Sequence, residues 1–138
     1  MSTFRKNHGF KEIPHKADAA IIVYGFSLPD LFINAAQGMY HIMGIVVEDH
    51  DYVEDTIALQ ASDHESLLVS YLTELLFLAE NNLKIEIIEL KIEDFLLNMK
   101  ILKASAAKID KEIKAVTFNE MKIIKKNGIY QAKVVFDL

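Results

Sequence analysis

Two aspartates stand where a β-strand would not choose them. Asp137 closes the run AKVVFDL (132–138) beside Val134, Val135 and Phe136, and Asp18 opens the run DAAIIVYG (18–25) just after His15 and Lys16. Strands disfavour Asp because its side chain competes for backbone hydrogen bonds and loses hydration when packed. Each position has an ordinary reading: a frayed strand end for Asp137, an edge turn for Asp18. The chemical reading is that the two acids face one another. Carboxylates at close range repel unless one is protonated or a cation lies between them. The terminal carboxylate and nearby backbone carbonyls would add oxygens. Hard oxygen donors without thiolates select Ca²⁺ or Mg²⁺, with Mn²⁺ as the alternative. Spacing alone does not make the first of these strands the neighbour of the second.

A further polar intrusion lies in EIKAVTFNEM (112–121), where Lys114 and Thr117 interrupt Ile113, Ala115, Val116 and Phe118. Alternation puts Lys114 on one face with Val116 and Phe118, and Thr117 on the other. A strand lysine commonly points outward for solubility; its functional alternative is a cation that holds a phosphate or another anion near a metal. The densest acidic run, Glu48, Asp49, His50, Asp51, Glu54 and Asp55, lacks the alternating ligands, central Gly and terminal Glu of an EF-hand and reads as a solvated loop. The histidines (His8, His15, His41, His50, His64) show no ligand spacing on one face. His41 is expected to pack half-buried in a helix, and His64 to face solvent in a helix first turn.

The elements that must position these residues are legible from periodicity and caps. FKEIPH (10–15) reads as a short strand that Pro14 confines to an edge or bend, and 18–27 as a strand. Ser27, Pro29 and Asp30 open a helix whose apolar stripe runs from Leu31 to Ile42 or Met43, with Gly44 as its stop. After the acidic loop comes a strand at 56–61. Ser62 with Glu65 then repeats the capping pattern before a second amphipathic helix that ends near 79–82.

Beyond Leu83 the chain reads as strands: 84–93 with a bulge at the neighbours Ile87 and Ile88, 95–104, and the runs 112–126 and 129–138 flanking the hairpin turn Asn127-Gly128. With no helix between these late strands, antiparallel pairing is favoured. The expected fold is a single α+β domain over 1–138, with a largely antiparallel or mixed sheet and two amphipathic helices.

Composition narrows the function classes. With 138 residues, two prolines and five glycines, the chain has no room for an interdomain linker. A formal charge of −5 argues against non-specific nucleic-acid binding, and direct contact with nucleic acid is not expected. The absence of cysteine excludes disulfides, thiolate metal sites and a Cys nucleophile. No phosphate loop, dinucleotide fingerprint, HExxH or GxSxG motif occurs. No secretory signal is visible, and no run approaches the roughly 20 apolar residues that span a bilayer, so a cytoplasmic protein is expected.

Several blocks, taken together, resemble the archease family: GFKEIPHKAD followed by AAIIVYG, SLPDLFINAAQGMYHIM, DHESLLVSYLTELLFLAE, EIKAVTFNEMKI and the closing AKVVFDL. They occur in order from about Gly9 to Leu138, and the KAVT block and the penultimate Asp are the most specific. The resemblance implies an accessory protein, not a free-standing enzyme. Its partner would be an RtcB-type RNA ligase of tRNA splicing and repair, whose guanylylation and repeated turnover it promotes. It further implies a divalent cation, Ca²⁺ first with Mg²⁺ or Mn²⁺ as alternatives, held by Asp18, Asp137 and backbone oxygen of Leu138. Lys114 of the KAVT block is carried over as a functional position, with His15 and Thr117 beside these motifs as further activation residues. The chain departs from the family pattern at HKAD, where Lys16 replaces the Thr of HTAD, and at Phe118-Asn119, where an aromatic-His pair is usual.

Three functions compete. One is a ligase activator that presents a metal site to a partner. A second is a small metal-dependent hydrolase in which Asp18 and Asp137 hold a cation that activates water, with His15 as the nearby base. The third is a chaperone-like scaffold without chemistry, for which an exposed apolar patch is expected.

Overall fold

The computed structural model describes residues 9–13, 18–48 and 52–138, so the expectations for Pro14, His15, Lys16 and the 49–51 part of the acidic run lie outside the described residues. Along them the chain runs β1 (Phe10–Ile13), β2 (Asp18–Gly25), α1 (Leu28–Met43), β3 (Val46–Val47), β4 (Val53–Gln60), α2 (His64–Glu80), β5 (Leu83–Glu93), β6 (Leu96–Lys108), β7 (Ala115–Thr117), β8 (Ile123–Lys126) and β9 (Ile129–Asp137). The α+β class holds, and the strands divide between two antiparallel sheets.

In the first sheet β9 is central. One edge pairs with β2, which in turn carries β1; the other edge pairs with β7 along 135–137 and with β8 along 129–132. In the second sheet β6 lies between β4 and β5, and β3 pairs with its far end. Both helices touch both sheets: α1 packs on β1, β2, β9 and β5, and α2 on β4, β5, β6 and β7. Their shared core is fully buried at Leu31, Phe32, Met39, Leu68, Tyr71 and Leu72. There the Phe32 and Tyr71 rings lie tilted with centroids 5.3 Å apart.

The local signals explain most of the boundaries. Ser27 caps α1 by accepting the Asp30 N–H at 3.2 Å, and Gly44 ends it in the left-handed region at φ 59°, its N–H donating to Tyr40 O at 3.0 Å. The bulge in β5 falls between Ile87 and Glu89, leaving Ile88 53% exposed and the rest of the strand in phase. Asn127 and Gly128 both take positive φ, 55° and 77°, as the mirror-image hairpin turn requires.

Three of the differences from expectation have a visible partner. The cap of α2 is Asp63, not Ser62: its carboxylate accepts the Ser66 N–H at 2.7 Å, which holds Asp63 below the ordinary carboxylate range. An acid at this position also meets the positive end of the helix dipole. The strand before α2 begins at Val53, so Glu54 and Asp55 belong to an edge strand, with Asp55 paired to Lys103 at 2.9 Å. The strand expected over 112–126 breaks into β7 and β8. Met121 N–H turns back to Phe118 O at 2.9 Å, Glu120 adopts φ 65°, and its carboxylate pairs with Lys133 at 3.1 Å.

With Asp63 as the cap, Glu65 is released for a tertiary role and accepts the Ile123 N–H of β8 at 3.1 Å. Glu65→Ala leaves a part-buried N–H without an acceptor. It is expected to destabilise the protein by about 1–2 kcal/mol in urea denaturation, with faster amide exchange confined first to β8.

Candidate functional site

Asp18 is the first residue of β2 and Asp137 the last of β9, and the register places them directly opposite one another. Cross-strand partners project to the same face, with Cβ atoms about 4.5–5.5 Å apart. The next pair inward, Ala19 and Phe136, points the other way and is buried at 4% and 0% exposure. The carboxylates therefore share the face turned away from the helices. Asp18 is half-buried and Asp137 exposed.

β7 completes the row. Ala115 pairs with Asp137 on the edge opposite Asp18, and the Lys114 N–H donates to the Asp137 carbonyl at 2.8 Å. Lys114 precedes the strand, so the alternation expected from its neighbours does not reach it. Its side chain is exposed while Val116 is buried and Phe118 is 58% exposed. Thr117 pairs with Val135, which puts it on the same outward face as Asp137, one row along the sheet. Its Oγ1 is buried with no hydrogen-bond partner among the described residues. Leu138 follows directly, with its side chain 37% exposed.

The donors fit a hard cation: two facing carboxylates, a neighbouring hydroxyl with unused hydrogen-bonding capacity, and the main-chain oxygen of Leu138. The Asp137 carbonyl already accepts one hydrogen bond, from the Lys114 N–H. Among the described residues no three His, Cys, Asp or Glu side chains gather, so further donors from this part of the chain would be backbone, hydroxyl or amide oxygens. His15 lies outside the described residues.

Other candidates fall elsewhere. His41 is exposed rather than half-buried, its ring tilted on Phe10 at a 5.5 Å centroid distance. His64 is half-buried and is fixed by Asp94: a carbonyl can only accept, so His64 Nε2 carries the proton in their 2.8 Å contact. Hollows of about 340, 290 and 130 Å³ are present, and none of these three is lined by Asp18 or Asp137. The smallest contains Tyr40, whose phenol burial pushes up to about 12 and whose oxygen accepts the Ile85 N–H at the free edge of β5. The sequence gives no hint of the orphan hydroxyl at Thr117, because its burial depends on packing around a β7 only three residues long.

Comparison with known proteins adds the family. The model of the archease protein family (MTH1598/TM1083) matches residues 10–138. Protein archease of Methanosarcina mazei is 32% identical over 140 residues, covering 94% of this chain and 95% of that protein. Protein archease of Pyrococcus furiosus is 32% identical over 138 residues, covering 90% and 94%. Among solved structures, the solution structure of Methanobacterium thermoautotrophicum protein 1598 is similar with a TM-score of 0.70 at 28% identity, over 95% of this chain and 99% of that one. A Thermotoga maritima crystal structure, described as an archease and possible chaperone, shares the fold with a TM-score of 0.71 at 23% identity over the whole of both chains. No helix among the described residues is long and apolar enough to cross a membrane.

Proposed function

The chain belongs to the archease family, and from that premise we propose that it is a cytoplasmic, metal-binding accessory protein that activates an RtcB-type RNA ligase in tRNA splicing and RNA repair. In this reading it promotes guanylylation of the ligase and restores it for further turnovers. The observation that carries the reading is the register pair Asp18–Asp137, which brings together the two acids the family resemblance marks as ligands. Asp18, Asp137 and the main-chain oxygen of Leu138 would hold a divalent cation, Ca²⁺ first with Mg²⁺ or Mn²⁺ as alternatives.

A cation there would offset the two negative charges and turn an acidic strand end into a surface that attracts phosphate. Lys114, exposed beside Asp137, adds a positive charge for the same anion, and the Asp137 carbonyl fixes its backbone. Thr117 supplies a hydroxyl on the cation's face, and His15 adds an imidazole two residues before the Ala17-Asp18 step. The nucleotide and the nucleophile belong to the ligase, which accounts for the missing phosphate-loop and nucleophile motifs.

Guanylylation of the cognate ligase by GTP and Mn²⁺, with and without this protein, tests the reading. The wild-type chain is expected to raise the guanylylated fraction and the number of ligation turnovers. Asp18→Ala and Lys114→Ala are expected to lose most of that gain while folding normally. Equal stimulation by wild type and both variants would remove the site from the function. Substrate hydrolysis by the isolated chain that depends on Asp18 would favour the hydrolase instead.

A further inference from the structure

The last turns of α1 and α2 and the segment leading to β7 enclose a groove of about 290 Å³. Its apolar lining comes from Met43, Leu76, Ala79, Ile109 and Ile113. The wall that closes it is tied down, since the Asp110 and Lys111 N–H groups both donate to the Met43 carbonyl, at 2.9 and 3.1 Å.

Two exposed carboxylates, Glu80 and Glu112, also line the groove. Nearby Asp110 is neutralised by Lys108 at 3.0 Å, whereas neither Glu80 nor Glu112 has an ion pair among the described residues. The helix ends add to the negative field, and α2 has no basic residue in its last turn. Apolar walls under unbalanced carboxylates repel a phosphate. They also leave a purely aliphatic side chain without a partner for the acids. They suit a long side chain with an apolar stem and a cationic head. Arginine suits them better than lysine, because its guanidinium is weakly hydrated and its fork reaches two carboxylates at once.

One stretch of chain links the groove to the candidate site. Ile113 in its wall is followed by Lys114, whose N–H is held by the Asp137 carbonyl. We propose that the groove receives an arginine side chain, flanked by apolar residues, from the partner protein that docks over the Asp18–Asp137 pair. The identity of that partner rests on the ligase reading; the chemistry of the groove does not.

The double variant E80K/E112K reverses both charges at exposed positions and leaves Asp18, Asp137 and Lys114 in place. Its affinity for the cognate ligase, measured by calorimetry or interferometry, is expected to fall about tenfold or more, with a weaker salt dependence. N-acetyl-arginine methylamide titrated into wild-type protein is expected to shift the methyl resonances of Met43, Leu76, Ala79, Ile109 and Ile113, and not to do so in the double variant. Unchanged ligase affinity in E80K/E112K overturns the proposal whatever the small probe does. So does the absence of methyl shifts in the wild type at millimolar probe. If the wild-type chain binds no ligase at all, the ligase reading fails, and the groove is judged on the probe alone.

Discussion

Asp137→Asn is expected to lower the affinity for a divalent cation by at least about 100-fold while the protein keeps its fold. Losing a group that only orients a metal ligand already costs about 10- to 100-fold, and loss of a charged ligand should cost no less. The fold should tolerate the change because Asp137 is held through its backbone, by the register with Asp18 and Ala115 and the carbonyl accepting Lys114 N–H. Calorimetric titration with Ca²⁺ and with Mn²⁺ reads the affinity, and thermal melts read its linkage to folding. A cation at 100 times its dissociation constant stabilises the native state by about 2.7 kcal/mol, so the wild-type melt should move up and that of the variant should not. In chelator at low salt the order should invert, with the variant melting at or above wild type, because like charges directly opposite across two strands are unfavourable. Identical cation responses in both proteins would mean that the acids do not hold it.

What could be read in advance follows the range of the interactions involved. The caps at Ser27 and Gly44, the Asn127-Gly128 turn and the β5 bulge depend on a few adjacent residues, and each appears where local chemistry puts it. Asp63 stands as the cap in place of Ser62: its carboxylate accepts the Ser66 N–H at 2.7 Å and meets the positive helix end, leaving Glu65 for β8, a partner 58 positions away. The break at 118–122 brings Glu120 to Lys133, again a pairing that adjacent residues do not reveal. Division into two sheets is decided by which strand meets β9 and which meets β6, and periodicity carries no information about that.

The candidate site divides in the same way. Its residue types were visible, because Asp at a strand end breaks a local rule. The direct opposition of Asp18 and Asp137 was not, because it is a register between the two ends of the described chain. Lys114 escaped alternation for a related reason: its N–H is committed to Asp137, and the strand starts only at Ala115.

Phe136→Ala is expected to cost about 3–5 kcal/mol, enough to unfold much of a marginal domain. Phe136 is fully buried, in the strand that holds β2 on one edge and β7 on the other, opposite Ala19 and Val116. Neither neighbour is large, so truncation leaves a cavity that little can fill. Phe136→Leu keeps more of the volume and should cost less than Phe136→Ala, about 1.5 kcal/mol. The pair of variants tests how the site is built, because Phe136 and Asp137 are consecutive and point to opposite faces. If the register of β2 on β9 positions the carboxylates, Phe136→Leu should bind the cation nearly as well as wild type. Phe136→Ala should bind it in proportion to its folded fraction and regain part of its melting temperature when cation is added. Urea midpoints with and without cation supply the numbers. A loss below about 1 kcal/mol in Phe136→Ala would contradict the packing described for β9. A folded Phe136→Leu with no cation response would show that holding the two strands together is not enough to hold the two acids.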